Sequence, residues 1–238
     1  TIAILLAVSA IAAYIALTPA NKKPAIDVVS IACIGDSLTQ GSVYPYELWQ
    51  KLGRSGSFTI GNYTEYPTKD INPYGSITSY TIGNFGVGGT MVSLKSEAPY
   101  MNTSEFQSAL EFQPDIVIIM LGTNDARSSV HQFNSSFVDD YKLLINTFKV
   151  LASEPKIWIV LPPPIFNDQG GNISPEYFEQ NIIPYIKQVA NEAALPIIDV
   201  HFVLANYPEC FPDGLHPNTE GGQIIANEIY KAIFSQNG

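Results

Sequence analysis

Basic residues are scarce in this chain: 12 Lys and Arg stand against 22 Asp and Glu, a formal net charge of −10 over 238 residues. Lys22-Lys23 is the one adjacent basic pair. Nucleic acid and anionic membrane surfaces are held by clustered cations, so the composition argues against both as partners. Cysteine is nearly absent as well. Cys33 lies inside an apolar run and Cys210 stands three residues before Asp213, a pattern that predicts two free structural thiols rather than a disulfide framework. No metal-ligand spacing appears, and His131 and His201 stand alone, so neither a metal nor another cofactor is expected. No repeat or low-complexity tract interrupts the chain, and with 46% hydrophobic and 14% charged residues it suits one domain with a sizeable core.

A run long enough to cross a bilayer is also missing. Ile2 to Leu17 is apolar except for Ser9 and Tyr14, about 16 residues where a spanning helix takes roughly 20. Followed by the polar Thr18-Pro19-Ala20-Asn21-Lys22-Lys23-Pro24, it fits the hydrophobic region of a secretory signal. A membrane anchor or a helix packed in an assembly are the alternatives, which leaves membrane contact or self-assembly through residues 1–17 open. The chain starts at Thr1 with neither Met nor a basic leader, and something upstream is expected to have been removed or left out. Residues 1–24 are therefore read as this segment and a linker, and residues 25–238 as the folded domain. Four glycosylation sequons, at Asn62, Asn102, Asn134 and Asn172, exceed the roughly two that composition alone would give. Export is the expectation, to the medium or to the outer face of the cell membrane.

What the chain does have is the stretch Gly35-Asp36-Ser37-Leu38-Thr39-Gln40-Gly41, placed after Val28-Val29-Ser30-Ile31-Ala32-Cys33-Ile34. The apolar, β-branched run reads as a buried strand. Ser37 then lies just past a strand end, at the carboxyl edge of a sheet where open α/β folds put their ligand sites. At the far end Asp213-Gly214-Leu215-His216 sets a carboxylate three residues before an imidazole. That spacing lets Asp213 accept the Nδ1 proton of His216 and turn the other ring nitrogen outward. A base held in this way is what a serine hydroxyl needs to become a nucleophile at neutral pH. Asp199, at the end of another strand, is a rival acid, and Asp213 is preferred because it is local to His216.

Two further blocks lie between. Asn84-Phe85-Gly86-Val87-Gly88-Gly89-Thr90 follows the strand-like Tyr80-Thr81-Ile82, and its glycines let backbone amides approach a ligand. Gly122-Thr123-Asn124-Asp125 follows the strongly apolar Ile116 to Leu121, so that Asn124 would present an amide at the same edge as Ser37, ready to donate to the oxyanion of a tetrahedral intermediate.

Taken in order, these four blocks resemble those of the SGNH (GDSL-type) hydrolases, a family of esterases and lipases. The resemblance implies a three-layer α/β/α sandwich around a parallel sheet, flavodoxin-like in architecture. It implies Ser37 as nucleophile, an oxyanion hole made by the Ser37 amide, Gly89 and Asn124, and a triad completed by Asp213 and His216. Thr90 follows Gly89 where the family usually has an acidic or polar residue, which leaves Gly88 and Gly89 as alternatives for the donated amide. Asp36, Gly88 and Phe166 are further candidates for touching the substrate.

Elsewhere, helices are expected over Pro45 to Gly53, Ser104 to Phe112, Phe133 to Ala152, Ser174 to Leu195 with a kink at Pro184, and Asn218 to Phe234. Strands are expected over Lys156 to Leu161 and Pro196 to Val200. Strands alternating with helices give a parallel sheet covered on both faces. Arg54 to Ser79, rich in Gly, Tyr, Thr, Asn and Pro, is of a length that is usually functional or carries a small hairpin, and it reads as a loop insertion near the pocket mouth. Its Tyr63, Tyr66 and Tyr74 either stack on sugar rings or pack the loop down. Phe166, after Pro162-Pro163-Pro164, either walls the pocket or only packs.

The Leu161–Phe166 run and the Phe211–Asn218 ending resemble those of family members described as carbohydrate O-acetylesterases. The expected function is hydrolysis of short acyl esters, foremost O-acetyl groups on carbohydrate, with a small-molecule or polysaccharide ester as substrate. Alternatives are a lipid acyl-ester hydrolase of lysophospholipase type, or an anchored or filament-forming subunit that keeps the hydrolase fold as scaffold.

Overall fold

The structure, a computed structural model, describes residues 27–61, 63–66, 78–167 and 172–235. The expectations for residues 1–26, Asn62 and Tyr74 lie outside the described residues. Seven strands form one sheet: β1 (Asp27–Gly35), β2 (Phe58–Ile60), β3 (Tyr63–Glu65), β4 (Thr78–Gly86), β5 (Ile116–Met120), β6 (Lys156–Leu161) and β7 (Ile197–Asp199), in the spatial order β3-β2-β4-β1-β5-β6-β7. All neighbours are parallel except β2 and β3.

Alternation along the apolar strands separates two cores. In β1, Ala32 and Ile34 face one layer and Ile31 and Cys33 the other; in β5, Val117 and Ile119 oppose Ile116, Ile118 and Met120. Both faces are dry, which is why these strands read as unbroken hydrophobic runs. Helices α3 (Ser104–Glu111), α4 (Phe137–Lys149) and α5 (Ile183–Ala193) cover the first face with Phe106, Leu144, Phe148 and Ile186. The second is covered by α2 (Tyr44–Lys51), α6 (Val200–Leu204) and α7 (Thr219–Phe234), through Leu48, Trp49, Leu204 and Ile225. The fold is the expected three-layer α/β/α sandwich. Both cysteines are buried and unpaired.

Three elements differ from the sequence reading. Part of Arg54–Ser79 is not loop: β2 and β3 form a hairpin that extends the sheet at one edge, with Phe58 packed on Trp49. Tyr63 and Tyr66 are exposed there. The helix expected from Phe133 begins at Phe137, preceded by 3₁₀ turns over Ser128–Ser136. The helix expected to kink at Pro184 instead carries a π turn over Phe178–Ile182 immediately before α5, an adjustment that releases carbonyls which proline cannot satisfy.

The strand order places the site. From β1 the chain runs outward to β2, β3 and β4 on one side and returns to β5, β6 and β7 on the other, so the order reverses at β1. Open α/β sheets bind ligands beyond the carboxyl ends of the strands at such a point. Gly35, Gly86 and Met120 stand level across β1, β4 and β5. The segments carrying Ser37, Gly88-Gly89 and Asn124 therefore leave the sheet side by side.

Candidate active site

Ser37 opens α1 (Ser37–Gln40), a single turn capped by Asp36, whose Oδ1 accepts the Leu38 N–H at 2.9 Å. Asp36 is wholly buried. The expectation that it touches substrate is corrected: its carboxyl lies beneath the serine turn and presents nothing to solvent. Desolvation pushes its pKa up to about 7, against the opposing pull of the Leu38 N–H. Among the described residues its Oδ2 has no hydrogen-bond partner.

The turn before α7 carries Asp213 and His216. Asp213 Oδ1 accepts the backbone N–H of Leu215 at 2.9 Å and of His216 at 2.7 Å, which winds the turn tightly, and its Oδ2 lies 2.7 Å from His216 Nδ1. A carboxylate only accepts, so Nδ1 carries the ring proton and Nε2 is left with a lone pair. That nitrogen is 2.9 Å from Ser37 Oγ. Partial burial works to raise the Asp213 pKa, but the hydrogen bonds from His216 and Leu215 outweigh it and hold the carboxyl below its ordinary value. Asp199 is occupied elsewhere, capping α6 by accepting the Phe202 N–H at 2.8 Å. His201 spans Pro162 O and Glu179 Oε2, and His131 stacks on Tyr177.

The candidate donors lie on the segments that leave β4 and β5 level with the end of β1. Gly88 N–H donates to Gln40 Oε1 at 2.9 Å. Gly89 N–H and Ser37 N–H have no partner among the described residues. Asn124, buried on the turn after β5, donates one Nδ2 hydrogen to Thr90 O at 3.1 Å and accepts at Oδ1 from Arg127 Nη2 at 3.0 Å. A carboxamide has two hydrogens, and these bonds use one of them. A cavity of about 250 Å³ adjoins the serine, lined by Ser37, Gln40, Gly41, Ser42, His216 and Pro217. Phe166 is not among its walls. It packs on Phe211 with ring centroids 5.1 Å apart, while its backbone reaches the Asp213–His216 turn. A larger groove of about 410 Å³, between Lys51, Tyr207, Gln223 and Asn227, holds no nucleophile and base in contact. Among the described residues no group of three or more His, Cys, Asp or Glu is placed to hold a metal, and no helix is long and apolar enough to cross a membrane.

A serine, an imidazole and a carboxylate in one hydrogen-bonded line, with unengaged N–H groups beside the serine, is an arrangement suited to acyl transfer. Residues 33–224 match the GDSL-like lipase/acylhydrolase family. The chain belongs to that family. An acetylxylan esterase of Xylanibacter ruminicola is 31% identical over an alignment of 233 residues, covering 90% of this chain and 44% of that protein. This GDSL-family chain thus spans less than half the length of that relative. Among solved structures, a lipase/acylhydrolase from Enterococcus faecalis superposes with a TM-score of 0.63 at 21% identity, over 86% of this chain and 95% of that one. An acetyl xylan esterase does so with a TM-score of 0.62 at 20% identity, over 87% and 100%. Both share the fold.

Three contributors to this GDSL-family site escaped the sequence reading. Gln40 ties the serine turn to Gly88. Asp125, wholly buried, accepts the Val92 N–H at Oδ2 and the Ser93 N–H at Oδ1, each at 2.9 Å, and so clamps the loop after Gly89 to the turn bearing Asn124. Arg127 holds Asn124. Gln40 and Arg127 each stand three residues after a residue that was singled out, the spacing of one helical turn, and that was the available signal.

Proposed function

We propose that the protein is a serine esterase that removes short acyl groups, foremost O-acetyl groups from carbohydrate. The observation that carries this reading is the line Asp213 Oδ2, His216 Nδ1, His216 Nε2, Ser37 Oγ, joined at 2.7 and 2.9 Å. His216 takes the Ser37 proton as Oγ attacks the ester carbonyl. The oxyanion is received by the Ser37 and Gly89 amides and by the free Nδ2 hydrogen of Asn124. His216, its positive charge balanced by Asp213, then gives the proton to the leaving alkoxide, and an acyl-serine remains. Water, deprotonated by the same nitrogen, releases the acid and restores Ser37. The cavity beside Ser37 gives a substrate access to the serine, and the acetylxylan esterase relative supports an acetyl group as the acyl part and carbohydrate as the alcohol.

The test is hydrolysis of p-nitrophenyl acetate, butyrate and octanoate beside the Ser37→Ala variant, followed by acetate release from acetylated xylan. Rates that fall with acyl length and vanish in the variant are expected. Equal rates for wild type and Ser37→Ala would end the reading, and a preference for octanoate would move the substrate to lipid esters.

A further inference from the structure

Arg127 is the unassigned residue with the most to explain. Its side chain is 24% exposed, and its Nε is buried with no hydrogen-bond partner among the described residues. Withdrawing a guanidinium from water without full pairing is costly. Among the described residues the carboxylate it approaches is Glu97, 4.0 Å from Nη1 and itself 59% exposed, and such a pair returns little. What Arg127 does meet is the oxyanion region. Nη2 donates to Asn124 Oδ1 at 3.0 Å and lies 3.8 Å from where a Cβ on Gly89 would stand. The backbone is fixed as well, since Arg127 N–H donates to Asn124 O at 3.1 Å and the residue bridges to Ile173.

Both partners of the Asn124 amide have a single role. A guanidinium can only donate and the Thr90 carbonyl can only accept, so the carboxamide has one permitted orientation. A cation on its oxygen also draws electron density toward Oδ1 and leaves the Nδ2 hydrogens more acidic, hence stronger donors.

We infer that Arg127 is a positioning residue of the oxyanion site, which fixes the Asn124 carboxamide and strengthens the N–H that it offers to the developing negative charge. The inference rests on the esterase reading above. Its effect belongs to the transition state rather than to substrate binding, so it is expressed in kcat.

The experiment is a double-mutant cycle on p-nitrophenyl acetate with wild type, Arg127→Met, Asn124→Ala and the double variant, repeated with Arg127→Gln so that misfolding of one variant does not end the test. Arg127→Met is expected to lower kcat about 10- to 100-fold with KM within about threefold. In the Asn124→Ala background the same change is expected to cost under about twofold, because the group through which Arg127 acts is gone. The Ki of methylboronic acid, whose tetrahedral boronate carries an oxygen into the oxyanion position, should rise in step with the loss of kcat. A wild-type kcat in both Arg127 variants, or losses that multiply fully in the double variant, would overturn the inference while leaving the esterase reading standing. If Asn124→Ala itself changes kcat by less than about fivefold, the oxyanion assignment fails first, and this inference with it.

Discussion

The backbone N–H of Phe166 donates to the Gly214 carbonyl at 2.8 Å, which ties the loop leaving β6 to the turn carrying Asp213 and His216. Gly214 adopts φ +81, and a Cβ placed on it would stand 2.3 Å from the Cβ of Asn167. Gly214→Ala therefore combines left-handed strain with a clash between the two loops. We expect kcat to fall at least about tenfold and stability by roughly 1–3 kcal/mol, read from ester hydrolysis and thermal melting of the same preparation. An unchanged kcat would show that this loop contact does not set the position of His216.

Asp213→Asn keeps an oxygen for the Leu215 and His216 amides but places an NH₂ group against Nδ1. The imidazole then accepts at Nδ1 and carries its proton on Nε2, where it cannot take the Ser37 proton. A loss of about 10²- to 10⁴-fold in kcat is expected with a near wild-type melting temperature. A loss below about tenfold would remove Asp213 from the triad.

Gly88 and Gly89 can be told apart by alanine. Gly89 has φ +79, and its N–H is one of the unengaged donors, so Gly89→Ala should cost more than about tenfold in kcat. At Gly88 an added Cβ meets the end of the Gln40 side chain at 3.0 Å and the Ser37 Cβ at 3.7 Å, an ordinary contact distance, and the amide is already committed to Gln40. Activity within about fivefold of wild type is expected for Gly88→Ala. The reverse order would assign the oxyanion amide to Gly88.

Buried carboxyls give the stability curve a defined slope. Desolvation pushes Asp36 up to about 7 and Asp125 up to about 6, against a carboxylate's ordinary value of 3.8. At these two carboxyls the folded protein holds more protons than the unfolded chain between roughly pH 4 and 7, so their contribution to stability falls as pH rises through that window. Asp36→Asn removes the larger contribution. Measured by chemical denaturation at pH 4.5 and 7.5, the variant should gain on wild type as pH rises. A constant difference between the two pH values would mean that Asp36 does not titrate in this range.

Much of this was legible because the informative segments are continuous. β1, β5 and β6 are buried on both faces, so their apolar runs needed no tertiary information, and the residues of Asp213–His216 meet within a single turn. The hairpin of β2 and β3 was not legible, because three-residue strands are too short to display an alternation and are held by their neighbours in the sheet. Asp36 misled for a related reason: a motif locates a residue along the chain but does not say whether its side chain points to the cavity or beneath it. Gln40 and Arg127 act through partners 48 and 3 residues away, and their importance appears only once β1, β4 and β5 end at one level.

The bond between His216 and Ser37 closes a span of 179 residues. The two residues come together where β1, β4 and β5 end level and the turn before α7 lies against the serine turn. If this pair carries the proposed hydrolysis, turnover becomes a gauge of long-range assembly: on refolding it should return only when these distant segments have met, after secondary structure.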